Sequence, residues 1–222
     1  GTPEFLKTLY PALYSEGDTL PVSKFVVGGV QPAGTSKYEK RGIATVIPVW
    51  DAEKCTQCNQ CATLCTHVCI RPFLLDAEEV KKAPAAFKSI PATGDELKGL
   101  NFRIQVSAMD CSSCEVCAVN CPTNALTMTN FREVGERESK NWEYAMTLTN
   151  KGNLVDKTTV KGCAFQTPML EFNGACAGCG ETQYVKMLTQ LFGSKMMFAN
   201  AMGCSMAWAG MSGLVPFTKD SK

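Results

Sequence analysis

Two stretches of this sequence place four cysteines at one spacing. Cys55, Cys58, Cys61 and Cys65 follow the pattern C-x2-C-x2-C-x3-C, and Cys111, Cys114, Cys117 and Cys121 repeat it, with Pro122 after the last. Thiols grouped this tightly read as metal ligands. One C-x2-C alone would suit zinc or a redox pair, but a zinc site needs four ligands and has no use for a third C-x2-C step. Two full copies of the run point to two [4Fe–4S] clusters. Three cysteines at two-residue intervals wrap one face of a cubane, with the intervening backbone N–H groups directed at its sulfides. The fourth lies on a turn leading away and reaches the neighbouring cluster. The expected ligand sets are therefore crossed: Cys55, Cys58, Cys61 with Cys121, and Cys111, Cys114, Cys117 with Cys65. The first run departs in having Thr66 where a proline usually follows.

A third group is of another kind. Gly174-Ala175-Cys176-Ala177-Gly178-Cys179-Gly180-Glu181 is built of small residues that let backbone close on a ligand, and Cys204 follows in Met202-Gly203-Cys204-Ser205. Cys179 is expected at the start of a helix, where the dipole favours thiolate. Three cysteines make an incomplete metal site by spacing alone, and a glycine-rich turn with unrelated cysteines is the competing reading. Single residues outside the runs are Cys69 and Cys163, read as small buried thiols, and His67, the only histidine, read as structural in preference to cluster-tuning. Glu115, inside the second run, either faces solvent or places a charge beside the cluster.

The elements that must position these residues are legible in part. Residues 43–50 are β-branched and apolar, a strand that Pro48 confines to an edge. A helix is expected over Ala77–Lys82, a half-buried strand over 102–106 from its alternation, and a solvated helix or linker over 133–141. Beyond residue 150 the character changes. Met169–Phe172 is expected as a strand and Met196–Ala201 as another. Between them Tyr184, Val185, Leu188, Leu191 and Phe192 recur at helical spacing, with Gly193 as the terminating cap. The expected fold class is α+β. A βαββαβ two-cluster unit with an insertion between its halves occupies residues 35–150, after a Pro/Gly-rich connector over 1–34. Residues 151–222 open a second, α/β domain.

Composition narrows the classes. The 222 residues hold 13 cysteines, and 22 Lys and Arg nearly balance 21 Asp and Glu, so no basic field points to nucleic acid. Residues 1–5 carry no basic region followed by an apolar run, and the cysteines are clustered, which favours metal over disulfides. The uncharged stretch Met196–Thr218 is long enough to cross a bilayer. It is broken by Asn200, Ser205, glycines and Pro216, so it is read as buried core and no membrane span is expected.

Gly174 through Leu191 resembles the start of the thiamine diphosphate domain of the pyruvate:ferredoxin (flavodoxin) oxidoreductases. The resemblance extends through Tyr38–Ile43, Cys55–Pro72, Gly99–Val106 and Asn141–Tyr144, and so over nearly all of the chain. It implies a fragment of a larger, CoA-acetylating enzyme: the two-cluster domain and the start of the thiamine domain. It also implies a third [4Fe–4S] cluster, with ligands here at Cys176, Cys179 and Cys204 and a fourth elsewhere. Glu181 and Cys204 would approach thiamine diphosphate, held with magnesium by a segment not in this sequence. Implied partners are ferredoxin or flavodoxin, the remaining domains, and a second copy in a homodimer. The implied setting is the cytoplasm of an anaerobic bacterium, or the hydrogenosome or cytosol of an anaerobic eukaryote. Met202, where the family usually has threonine, and Ala207–Pro216 depart from the family pattern. The alternative from another class is a free-standing or fused low-potential electron carrier without 2-oxoacid chemistry.

Overall fold

The computed structural model describes residues 3–211 and 214–218. After a helical turn at Phe5–Leu9 and helix α1 (Tyr10–Ser15), strand β1 (Val46–Trp50) leads through the first cysteine run into α2 (Gln60–Leu64) and β2 (Ile70–Leu75). Helix α3 (Ala77–Lys82) and the short β3 (Ile90–Pro91) follow. Then β4 (Asn101–Val106), α4 (Val116–Val119) and β5 (Leu126–Asn130) repeat the first strand–helix–strand order around the second run. Helix α5 (Phe131–Ala145), α6 (Val160–Ala164), α7 (Thr182–Phe192) and the one-turn α8 (Cys204–Met206) complete the chain. The class is α+β with small antiparallel sheets.

The two halves exchange strands. β1 pairs antiparallel with β5, Ile47 opposite Thr129 and Trp50 opposite Leu126. β2 pairs antiparallel with β4, Ile70 opposite Val106, and β3 adds to the far side of β4. Pro48 and Pro72 both lie on strands with a single neighbour, where a missing N–H costs no ladder bond. Ile47, Ile70, Leu74, Phe102, Ile104, Val106 and Leu126 form one core with Cys65, Cys111 and Cys117. The thiols are thus part of the packed interior.

Backbone conformation repeats with the sequence. Gln57, Asn59 and Val68 in the first half have positive φ, and so do Ser113, Glu115 and Asn124 at the matching positions of the second. A β-branched residue such as Val68 rarely adopts this conformation. Both runs are therefore held in the same left-handed turns.

The charged segment over 133–141, expected as a solvated helix or linker, is helical but not solvated all round. It lies within the 15-residue α5, started by Asn130, whose side chain accepts from Arg132 N. Val134, Glu138, Asn141, Trp142 and Ala145 form a buried face. This corrects the reading of β4 as well. Its polar positions Arg103 and Gln105 are buried because α5 covers them. Gln105 Nε2 donates to Glu138 Oε2 at 2.9 Å, and Arg103 Nη2 lies 3.6 Å from the same oxygen. Burial draws the Arg103 guanidinium down to about 10, still cationic at neutral pH. Removing the carboxylate alone would strand that charge, which costs about 3–5 kcal/mol for a buried pair. Glu138→Ala should therefore lower the thermal midpoint, measured without air. Arg103→Met combined with Glu138→Leu should recover most of the loss.

Two expectations near the C-terminus are corrected. Met196–Ala201 forms no strand, and Met197 lies almost fully exposed at 99%. Among the described residues Met169–Phe172 contributes only one bridge, Leu170 to Phe217. Gly193 caps α7 as expected, its N–H donating to Thr189 O, with a right-handed φ of −49°. It is a glycine because Met169 Sδ would lie 2.4 Å from any Cβ there. The apolar stretch is short segments, and among the described residues no helix is long and apolar enough to cross a membrane.

Candidate metal centre

The structure brings four of the eight run cysteines to one cavity. Cys65, Cys111, Cys114 and Cys117 wall one small cavity with Pro48, Ile70 and Met128. Burial pushes the Cys117 thiol up, and the neighbouring charges of Cys65, Cys111, Cys61 and Cys114 push it further. The Cys61 thiol is likewise raised by burial, and then by Cys55, Cys58 and Cys121. Cys117 of the second run thus has the first run's Cys65 as a neighbour, and Cys61 of the first run has Cys121. Among the described residues no three His, Cys, Asp or Glu side chains stand close enough to hold a single metal ion. An all-thiol donor set is of the kind that multi-iron clusters take. Backbone N–H groups already point at ligand sulfur: Gln57 N to Cys55 Sγ at 3.4 Å and Ala125 N to Cys121 Sγ at 3.2 Å.

The two sets differ in exposure. Cys55, Cys58, Cys61 and Cys121 are half-buried, whereas Cys65, Cys111 and Cys117 are buried. Cys69 is more than a filler. Its Sγ lies 3.5 Å from Cys65 Sγ. Bonds to Cys111 and Cys65, together with burial, hold its own proton on well above the usual thiol range. Cys65 and Cys111 are drawn down first by that donated S–H. Nothing in its spacing marked it. Cys163 is buried, with its thiol raised by burial, as expected. Glu115 is exposed and lies at the rim of the cavity walled by Cys65, Cys111, Cys114 and Cys117.

His67 is 4% exposed and fully bonded. Its Nε2 lies 2.8 Å from Ala175 O, a group that only accepts, so Nε2 carries a proton. In the neutral ring Nδ1 then accepts from Thr66 Oγ1 at 2.9 Å and Ser112 Oγ at 3.2 Å. The structural reading of this residue holds, and it has a specific content. One side chain ties the end of the first run, the interior of the second and the backbone beside Cys176. Around it Thr66 O accepts from Asn173 Nδ2 and Thr182 Oγ1 at 2.9 and 2.7 Å, and Phe172 N donates to His67 O at 3.0 Å. Arg71 pairs with Glu171 at 2.5 Å, both side chains nearly buried. The third cysteine loop comes so close that a Cβ on Gly178 would sit 3.7 Å from Cys114 Cβ.

The third group itself is not assembled. Cys176 and Cys204 are exposed and Cys179 half-exposed, and the structure does not join the three into an ion-binding group. Cys179 lies in the loop before α7, which starts at Thr182, so it is not in the first helical turn. Glu181 immediately precedes the helix, and its Oε2 accepts from the buried Trp208 indole at 3.3 Å.

A family model described as the EKR domain, of unknown function, matches residues 1–44, which end on Glu39-Lys40-Arg41 and three further residues. The chain is 50% identical over 219 residues to pyruvate:ferredoxin oxidoreductase of Moorella thermoacetica, covering 97% of this chain and 19% of that protein. It is similar to one segment of the pyruvate oxidoreductases. A pyruvate-flavodoxin oxidoreductase of Enterobacter agglomerans is 50% identical over 225 residues, 99% of this chain and 19% of its own length. Mitochondrial pyruvate dehydrogenase [NADP(+)] of Euglena gracilis is 49% identical over 216 residues, 97% of this chain and 12% of its own. The chain therefore spans under a fifth of the relatives it matches.

If His67 fastens the third loop, His67→Phe should free it while leaving the sheets intact. Amide exchange over residues 174–180 should quicken about tenfold, the scale of one lost hydrogen bond. Exchange over 101–106 should stay unchanged, as read by hydrogen-exchange mass spectrometry.

Proposed function

We propose that this chain is the electron-transfer segment of a pyruvate:ferredoxin or pyruvate-flavodoxin oxidoreductase. In this reading residues 35–150 are a ferredoxin-like unit holding two [4Fe–4S] clusters, and residues 151–222 begin the thiamine diphosphate domain. The observation that supports it is the repeated C-x2-C-x2-C-x3-C spacing, together with the cavity that Cys65 lines beside Cys111, Cys114 and Cys117. When bound, such clusters take up and give back single electrons at low potential.

The chain's own work is to hold the sites in line. The loop of Cys176 and Cys179 rests on Cys114 through Gly178 and on Ser112 through His67, so a third site there adjoins the buried set. The set of Cys55, Cys58, Cys61 and Cys121 is the more exposed and is the face a soluble acceptor reaches. The relatives are named for ferredoxin, flavodoxin and NADP(+) at almost the same identity. That range supports a shared internal electron route whose final acceptor is chosen elsewhere. We assign ferredoxin or flavodoxin as the acceptor here. Glu181, Cys204 and the half-formed third group are assigned to the thiamine end, where the cofactor carries the decarboxylation chemistry.

The test is a count. Chemical analysis of the 222-residue chain, prepared without air, should find about eight irons with matching sulfide, two cubanes' worth. Four irons, or stoichiometric zinc, would sink the proposal. Paired substitutions test the crossing. Cys65→Ser with Cys111→Ser should remove one cluster, whereas Cys65→Ser with Cys55→Ser should damage both, read by low-temperature electron paramagnetic resonance.

A further inference from the structure

Helix α7 buries a polar stripe. Of the five residues whose spacing announced the helix, Tyr184, Leu188 and Phe192 are exposed and Val185 and Leu191 half-buried, whereas Thr182, Lys186 and Thr189 are buried. Lys186 is 2% exposed. Its Nζ donates to Ala62 O, and to Thr63 O at 2.8 Å, the carbonyls of α2 that lie between Cys61 and Cys65. Among the described residues it makes no ion pair with a carboxylate.

A buried ammonium without an anion is costly, and such a group is retained only where something offsets its desolvation. Burial draws this amine down to about 8, and the groups that oppose the fall are the thiols of Cys65, Cys163 and Cys61. Arg71 acts in the other direction. Two of these three thiols belong to the crossed sets, one to each. A site of four thiolates around a cubane carries net negative charge, and that is the anion this cation lacks in the protein alone.

Building on the proposed cluster sites, we infer that Lys186 is their buried counter-charge, acting first on the set of Cys65, Cys111, Cys114 and Cys117, and raises the reduction potential there. Reduction adds one electron to an anionic site, with no bond or proton of Lys186 changed, and a cation held nearby favours the reduced form. The charge is delivered by the helix that follows Cys176 and Cys179. Docking of that helix therefore sets the potential of the site next in line. Lys186 acts through charge and position, and touches no ligand directly.

The test uses the protein as its source makes it, purified without air. Redox titration with dithionite is followed by electron paramagnetic resonance for the unaltered protein, Lys186→Gln and Lys186→Arg. Signals are assigned with the Cys65→Ser, Cys111→Ser protein. Glutamine keeps a donor for the carbonyls and loses the charge. Lys186→Gln should cut the reduced-to-oxidised ratio of the Cys65 site at fixed potential at least threefold, which is about 28 mV at 59 mV per decade. The other site should shift less, and Lys186→Arg should stay near the unaltered value. Unchanged potentials in Lys186→Gln, or the same shift in both variants, overturn the inference. Clusters lost in Lys186→Gln and kept in Lys186→Arg, by iron content, support it, and loss in both makes Lys186 a packing residue and overturns it. Absence of any cubane signal in the unaltered protein overturns the cluster reading itself, and this inference with it.

Discussion

Packing eight cysteine thiols into one small core is the constraint to which the rest of this structure answers. Thiolates gathered inside a low-dielectric interior repel one another and lose their water. The fold meets this with dipoles and positive charge. Left-handed turns at Gln57, Asn59, Ser113 and Glu115 bend both runs alike, and backbone N–H groups reach Cys55 and Cys121. The Cys69 thiol hydrogen-bonds beside Cys65, 3.5 Å between sulfurs. Lys186 brings a full charge from a distant helix.

The same constraint explains why the C-terminal segment is bound so tightly. The residues just after Cys65 leave carbonyls facing inward, and buried carbonyls need donors. Asn173, Thr182 and Phe172 supply them. Arg71 sits under Trp142 and Phe172, 5.2 Å from each ring, and closes the seam with Glu171. The junction is polar and specific, so its geometry is set by direction as well as by apolar area.

What the sequence discloses follows from how local each signal is. The runs, α3 with its Asp76–Glu79 capping box, and the strands near 46–50 and 101–106 are written in adjacent residues. The faces are not. Alternation marks 102–106 as a strand but does not disclose that α5 lies over Arg103 and Gln105. The spacing of α7 tells which residues share a face and not which face turns inward. A clue was present: Thr182, Lys186 and Thr189 form a polar stripe of their own with one charge in it. Met196–Ala201 has strand composition, yet no neighbouring strand is there to pair with it. The third group stayed incomplete, because its cysteines lie far apart along the chain and no local pattern fixes Cys204 against Cys176.

The exchange of strands also imposes an order in time. β1 has no partner until β5 exists, and β2 none until β4 exists. While the chain is being made, a nascent segment ending near residue 100 holds two unpaired edges and three cysteines of a set whose fourth, Cys121, is not yet translated. Neither half can finish as an independent folding unit, and long-range pairings of this kind close slowly. Iron delivered before residue 130 emerges would find only partial ligand sets, so maturation of this unit belongs after synthesis of both halves.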